Sequence, residues 1–138
     1  MNPAAKQGFD MVGLDQLLRE SDAVSLHLRL SDATRGFLSR ERFGMMKQSA
    51  IFINTARGPI VDEEALVESL SEGRLAGAGL DVFAVEPLAP GHPLTKLENV
   101  LLSPHSAGVT PEALEAGLSL ALENVERFLA GRPQNVVV

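Results

Sequence analysis

The stretch Ser49-Ala50-Ile51-Phe52-Ile53-Asn54-Thr55-Ala56-Arg57-Gly58-Pro59-Ile60-Val61-Asp62-Glu63-Glu64-Ala65-Leu66 decides the fold class. It opens on Ala-Ile-Phe-Ile, a continuous apolar run of the kind buried on both faces of a sheet. Gly58 and Pro59 then let the backbone turn sharply. Asp62 caps a helix from Glu63 to about Glu72, whose first-turn Glu63 and Glu64 face the positive end of the helix dipole. Gly73 stops that helix. A buried strand, a tight loop and a capped helix make the first half of a βαβ unit.

The same rhythm extends both ways along the chain. Upstream, Phe9 to Val12 reads as a brief strand, and Leu14, Leu17 and Leu18 mark one face of a short helix ending near Ser21. Ala23 to Leu28 reads as a strand, followed by a polar loop and a short helix around Ser39 to Lys47. Downstream, Ala76 to Val82 and Val100 to Leu102 read as strands. Thr110-Pro111-Glu112 is a strong helix start, with a capping threonine and proline at the first helical position. Leu114, Leu118, Ala121, Leu122, Val125, Phe128 and Leu129 keep helical spacing down to Gly131. Strand–helix alternation of this kind implies right-handed crossovers and a parallel sheet.

The 138 residues suit one domain. A net charge of -6 argues against nucleic acid or an anionic membrane as partner, since phosphate binding needs a basic patch. With no cysteine there is neither a disulfide framework nor a thiolate metal site, which fits a reducing, cytoplasmic setting. No apolar run approaches a membrane span, and Met1 to Lys6 carries no signal-peptide stretch.

In parallel sheets, ligands sit at the carboxyl ends of the strands, so the segments that follow the strands hold the candidate chemistry. Arg57 follows one strand; its guanidinium can hold a carboxylate through two parallel hydrogen bonds. Glu86 follows the next, in Asp81-Val82-Phe83-Ala84-Val85-Glu86-Pro87. His105 follows the last, in Ser103-Pro104-His105-Ser106-Ala107-Gly108. A histidine beside a carboxylate is oriented by it and keeps its proton more readily, as a general acid/base requires. Taken singly, each is more simply a loop residue; their convergence on one sheet edge favours chemistry.

Two other patterns carry less. Gly77-Ala78-Gly79-Leu80-Asp81-Val82 begins like a dinucleotide fingerprint but lacks the third glycine and enters a strand. Ser103, His105 and Glu86 are not a hydrolase triad: there is no G-x-S-x-G elbow. His27, His92 and His105 lack metal-ligand spacing.

Taken together these segments resemble the NAD-binding domain of the D-isomer-specific 2-hydroxyacid dehydrogenases, which include phosphoglycerate dehydrogenase and glyoxylate/hydroxypyruvate reductase. The resemblance runs from about Gly8 to Val137, through Ser21 to Leu28, Ile53 to Asp62, Ala78 to Phe83, Glu86-Pro87 and Leu102 to His105. It implies that Arg57 binds the substrate carboxylate and polarises its keto oxygen. His105 would give that oxygen a proton in reduction and remove one in oxidation, and Glu86 would hold His105 in its protonated form. Asp81 would hydrogen-bond the nicotinamide carboxamide. Thr55, Ala56, Ser106, Ala107 and Gly108, with Arg57 and His105 beside them, would line the cofactor. The implied cofactor is NAD, with NADP not excluded. The implied partners are a small 2-hydroxy or 2-keto acid and a second copy of the chain in a homo-oligomer, a dimer.

On this resemblance the fold is α/β, a parallel-sheet, Rossmann-like three-layer α/β/α arrangement that is incomplete. Residues 1–138 would be a partial NAD-binding domain without the first βαβ unit, its Gly-rich loop or the substrate domain, as an excised fragment or a truncated reading frame would be. Without the first strand, Ala23 to Leu28 would show an unpaired edge, and Val24, Leu26 and Leu28 would lose apolar cover. His27-Leu28-Arg29 departs from the family's His-x-Pro, and Ser106 stands where an apolar residue is common. The activity implied is hydride transfer between the nicotinamide and C2 of a D-2-hydroxy acid, although these 138 residues alone would be inactive. A non-catalytic, dinucleotide-sensing corepressor of the same fold, and an inactive remnant of a truncated gene, are the alternatives.

Overall fold

The computed structural model describes residues 10–137. Gly8 and Phe9, where the resemblance and the expected opening strand begin, lie outside them, and Asp10 to Val12 forms no strand. The chain divides into two compact units, one ending at His105 and one beginning at Ser106.

The first unit runs α1 (Leu14–Glu20), β1 (Ala23–Leu26), α2 (Arg40–Met45), β2 (Ile51–Asn54), α3 (Glu63–Ser71), β3 (Gly77–Leu80) and β4 (Val100–Leu102). Short 3-10 turns occupy Gly58–Ile60 and Pro93–Lys96. The strands form a fully parallel four-stranded sheet in the order β1-β2-β3-β4. In register, Ala23 faces Ile51 and Ile51 faces Gly77, while Ala78 faces Val100.

That order explains where the core sits. Successive right-handed crossovers that all step in one direction place their connections on the same face of the sheet. On that face Val24, Leu26, Phe52, Ala78 and Leu80 join Leu18 of α1, Phe43 of α2, and Leu66 and Leu70 of α3 in one hydrophobic cluster. The Phe43 ring meets Phe52 edge-on, with centroids 5.3 Å apart, a geometry worth about 0.5–1.5 kcal/mol beyond the area it buries.

Two expectations are corrected here. The apolar run through Ile51-Phe52-Ile53 predicts burial on both faces, yet Phe52 is buried and Ile51 is 40% exposed. Composition reports that a strand is apolar; the topology of the crossovers decides which face is covered. Conversely, β1 does lie at the edge of the sheet, but Val24 and Leu26 are buried and only Leu28 is exposed. Strand side chains stand perpendicular to the sheet, so their cover comes from the helices beneath and not from a neighbouring strand.

Helix α3 forms as its sequence dictates: Asp62 Oδ1 accepts the Ala65 N–H at 3.1 Å, and Gly73 beyond the helix adopts φ +66°. In the second unit, α4 (Pro111–Leu129) begins as expected, with Thr110 Oγ1 accepting the Ala113 N–H at 3.1 Å. No helix among the described residues is long and apolar enough to cross a membrane.

Candidate active site

The site is built from the segments that leave β2, β3 and β4. Asn54, the last residue of β2, is buried. Its Oδ1 accepts the Ala56 N–H at 3.0 Å and its Nδ2 donates to the Arg57 carbonyl at 3.2 Å. One side chain thus pins the Thr55-Ala56-Arg57 turn from inside. Arg57 is extended and exposed, with Nη1 donating to the Ala56 carbonyl at 2.7 Å. Thr55, Ala56 and Arg57 line a cleft of about 540 Å³ together with His27 and Arg29, which follow β1.

Gly58 follows Arg57 because nothing larger fits. A Cβ at that position would lie 1.9 Å from both the carbonyl carbon and the oxygen of Phe83. The segment after β2 is therefore packed backbone-to-backbone on the segment after β3, which carries Glu86.

After β3, Asp81 is buried; its N–H donates to the Asn54 carbonyl at 3.0 Å and its Oδ1 accepts the Ser103 hydroxyl at 2.6 Å. The Ser103 hydroxyl is thus committed to Asp81. Positions two apart on an extended segment share a face, as Ser25 and His27 do with Oγ and Nε2 2.9 Å apart, so this bond and not strand alternation commits the Ser103 hydroxyl away from His105. Glu86 Oε1 accepts the Phe83 N–H at 3.0 Å, and Glu86 Oε2 lies 2.7 Å from His105 Nδ1. An ionised carboxylate only accepts, so Nδ1 carries the hydrogen and Nε2 remains as the nitrogen for exchange. His105 holds φ +53°, a left-handed conformation that only a few per cent of non-glycine residues adopt. With Phe83, Leu88, Leu102 and Pro104, the pair lines a cleft of about 580 Å³.

The electrostatics agree with the geometry. The His105 hydrogen bond, then the Phe83 N–H, hold the Glu86 carboxyl below the ordinary glutamate range, with the charges of His105 and Arg57 adding to the effect. Partial burial opposes them and loses.

The structure thus brings Arg57, Glu86 and His105 to one edge of the sheet, with Thr55 and Ala56 beside Arg57 and Asp81 buried next to Ser103. Ser106, Ala107 and Gly108 belong to the second unit. Sequence reasoning missed Asn54 and the Ser103–Asp81 bond. A polar residue closing an apolar strand was a usable signal for Asn54. Ser103 had none, because its partner lies 22 residues away.

The family model described as "D-isomer specific 2-hydroxyacid dehydrogenase, NAD binding domain" matches residues 1–107. The chain belongs to the D-isomer-specific 2-hydroxyacid dehydrogenase family. A glyoxylate reductase from Thermofilum pendens is 51% identical over 123 residues, covering 89% of this chain and 36% of the relative. Among solved structures of the family, a 2-hydroxyacid dehydrogenase from Lactobacillus delbrueckii in its NAD complex superposes with a TM-score of 0.89 at 32% identity, over 100% of this chain and 46% of that one. A Xanthobacter autotrophicus family member, in complex with NADPH and MES, gives a TM-score of 0.79 at 42% identity, over 88% of this chain and 50% of that one. The chain therefore spans half or less of the length of each of these three proteins.

Proposed function

We propose that this chain carries the substrate-binding arginine and the acid/base pair of a nicotinamide-dependent reductase of small 2-keto acids, glyoxylate among them. The observation that carries the reading is the Glu86–His105 contact at 2.7 Å, with the charge of Arg57 acting on the same carboxylate. Arg57 binds the substrate carboxylate and orients the keto carbon. Glu86 holds His105 through Nδ1, and His105 delivers a proton from Nε2 to the keto oxygen or takes it back in the reverse direction.

The Thr55 hydroxyl, the cations of Arg29 and Arg57, and the apolar Leu28 and Leu30 line one cleft. This donor set suits an amide-bearing ring carried on an anionic sugar phosphate. The nicotinamide cofactor, NAD or NADP, supplies or takes up the hydride when bound; the protein provides position and charge. Thr55, Ala56, Arg57, Asp81 and His105 are the first-unit residues assigned to that cofactor.

The test is substrate dependence in the enzyme that carries this chain. Reduced nicotinamide should be consumed with glyoxylate or pyruvate and not with acetone, which lacks the carboxylate Arg57 would hold. Equal turnover of acetone and pyruvate would remove Arg57 from the reading.

A further inference from the structure

The Glu86 turn is held by more than His105. Glu63, in the first turn of α3, reaches across to the segment after β3, where its Oε2 accepts the Ala84 N–H at 2.9 Å. Its other oxygen, Oε1, lies 3.3 Å from Nε2 of His92. His92 caps the Pro93–Lys96 turn, and its Nδ1 accepts the Leu94 N–H at 3.3 Å. The ring hydrogen therefore sits on Nε2 and faces Glu63. Both side chains are well covered, at 22% exposed for His92 and 19% for Glu63.

The Ala84 N–H that Glu63 takes and the Phe83 N–H that Glu86 takes are neighbouring amides of one turn. We infer that Glu63, held in place by His92, is a positioning residue that fixes the Phe83-to-Glu86 turn and so sets where Glu86 presents its carboxylate to His105. The inference rests on the proposed acid/base role of that pair. A first-turn glutamate has a simpler use, facing the helix dipole, but Glu64 supplies that as well, and the dipole asks nothing of Ala84 or His92. Glu64 and Glu68 flank the same cleft beside α3, and Glu68 is engaged by Arg40 and Arg74. Of the neighbouring titratable groups among the described residues, His92 is the one in contact with Glu63. The groups acting on Glu86 are His105 and Arg57.

The test uses the full 138-residue chain, with amide hydrogen exchange and carbon-detected titration of the Glu86 carboxyl followed by NMR. Glu63→Ala should speed exchange at Phe83 and Ala84 by about tenfold, the loss expected of one hydrogen bond to a charged acceptor. It should also move the Glu86 titration up toward the ordinary glutamate range, which a role confined to the helix would not do. Glu63→Gln keeps one oxygen for the Ala84 N–H but sets its amide N–H against the Nε2–H of His92. It should therefore restore both readings only to the level at which His92→Ala leaves them. His92→Ala should act in the same direction more weakly, and should add nothing to Glu63→Ala in the double variant. A folded Glu63→Ala chain with unchanged Phe83 and Ala84 exchange and an unchanged Glu86 titration would overturn the inference; should Glu63→Ala fail to fold, the same null result in His92→Ala would do so. His105→Ala separates the two readings. A Glu86 titration that follows Glu63→Ala and ignores His105→Ala supports the latch and refutes the acid/base pairing. The reverse refutes the latch and leaves the pairing standing.

Discussion

Replacing Gly58 by alanine places a methyl carbon 1.9 Å from the carbonyl carbon and oxygen of Phe83 and 2.6 Å from the Ala84 nitrogen. Carbon atoms in contact sit about 3.5–4.0 Å apart, so one of the two segments must retreat by roughly 1.6–2.1 Å. The obstacle is backbone, and no side-chain rotation relieves it. Gly58 follows Arg57 directly, and Phe83 begins the turn that ends at Glu86, so the retreat changes the spacing of the two groups that would hold and protonate the substrate. Overpacking of this kind costs about 1–3 kcal/mol of stability. A misplacement of about 1 Å costs on the order of 100-fold in rate. Thermal unfolding of the 138-residue chain reads the first effect, and kcat of the enzyme that carries it reads the second. The amide shifts of Phe83 and Ala84 should move in the same variant. A Gly58→Ala chain with an unchanged melting temperature and unchanged shifts at those amides would refute the close packing itself. Normal kcat despite displaced amides would refute its importance for the site.

Arg57→Lys should cost about 2–4 kcal/mol in kcat/KM on 2-keto acids, because an ammonium cannot copy a two-bond clamp; near-normal kinetics would take Arg57 out of substrate binding. Glu86 titrates below the ordinary glutamate range. Its contribution to stability is therefore fully present above the unfolded-state value and is lost as the pH falls through the folded one. Melting curves against pH should show that acid-side loss shrink in Glu86→Gln, and an identical acid limb in both proteins would contradict it. The sequence contains no Gly-x-Gly-x-x-Gly, so a pyrophosphate would find no amide cradle within it. NADH should bind the 138 residues on their own with a Kd of about 1 mM or weaker, and a micromolar Kd by fluorescence titration would show otherwise. With β1 at the sheet edge and Ile51 and Leu101 exposed, the same chain should self-associate in light scattering, and a monodisperse monomer would count against that.

Much of the architecture was legible from residues 49 to 73 alone. A β-branched apolar run, a Gly-Pro turn and an aspartate cap act over a few residues each, so sequence neighbours suffice to specify them. The same holds for the helix start at Thr110. It also holds for the positions of Arg57, Glu86 and His105, which follow from the rule that ligands gather where parallel strands end. Strand ends are less legible: the pattern predicts a strand from Ala23 to Leu28, and Ala23–Leu26 forms one.

By itself, then, the sequence determined the alternation of strands and helices, the parallel sheet and the three side chains at its carboxyl edge, because these rest on local patterning. Tertiary structure decided the rest. That the helices of the first unit pack beneath Phe52 and not beneath Ile51 follows from the order of the strands, and the left-handed backbone of His105 appears only once the chain is folded. The partners that fix the site also join residues far apart in the chain: Ser103 with Asp81, Glu63 with Ala84, Gly58 against Phe83. Such contacts depend on how crossovers stack segments in space, and no window of sequence contains both ends of them.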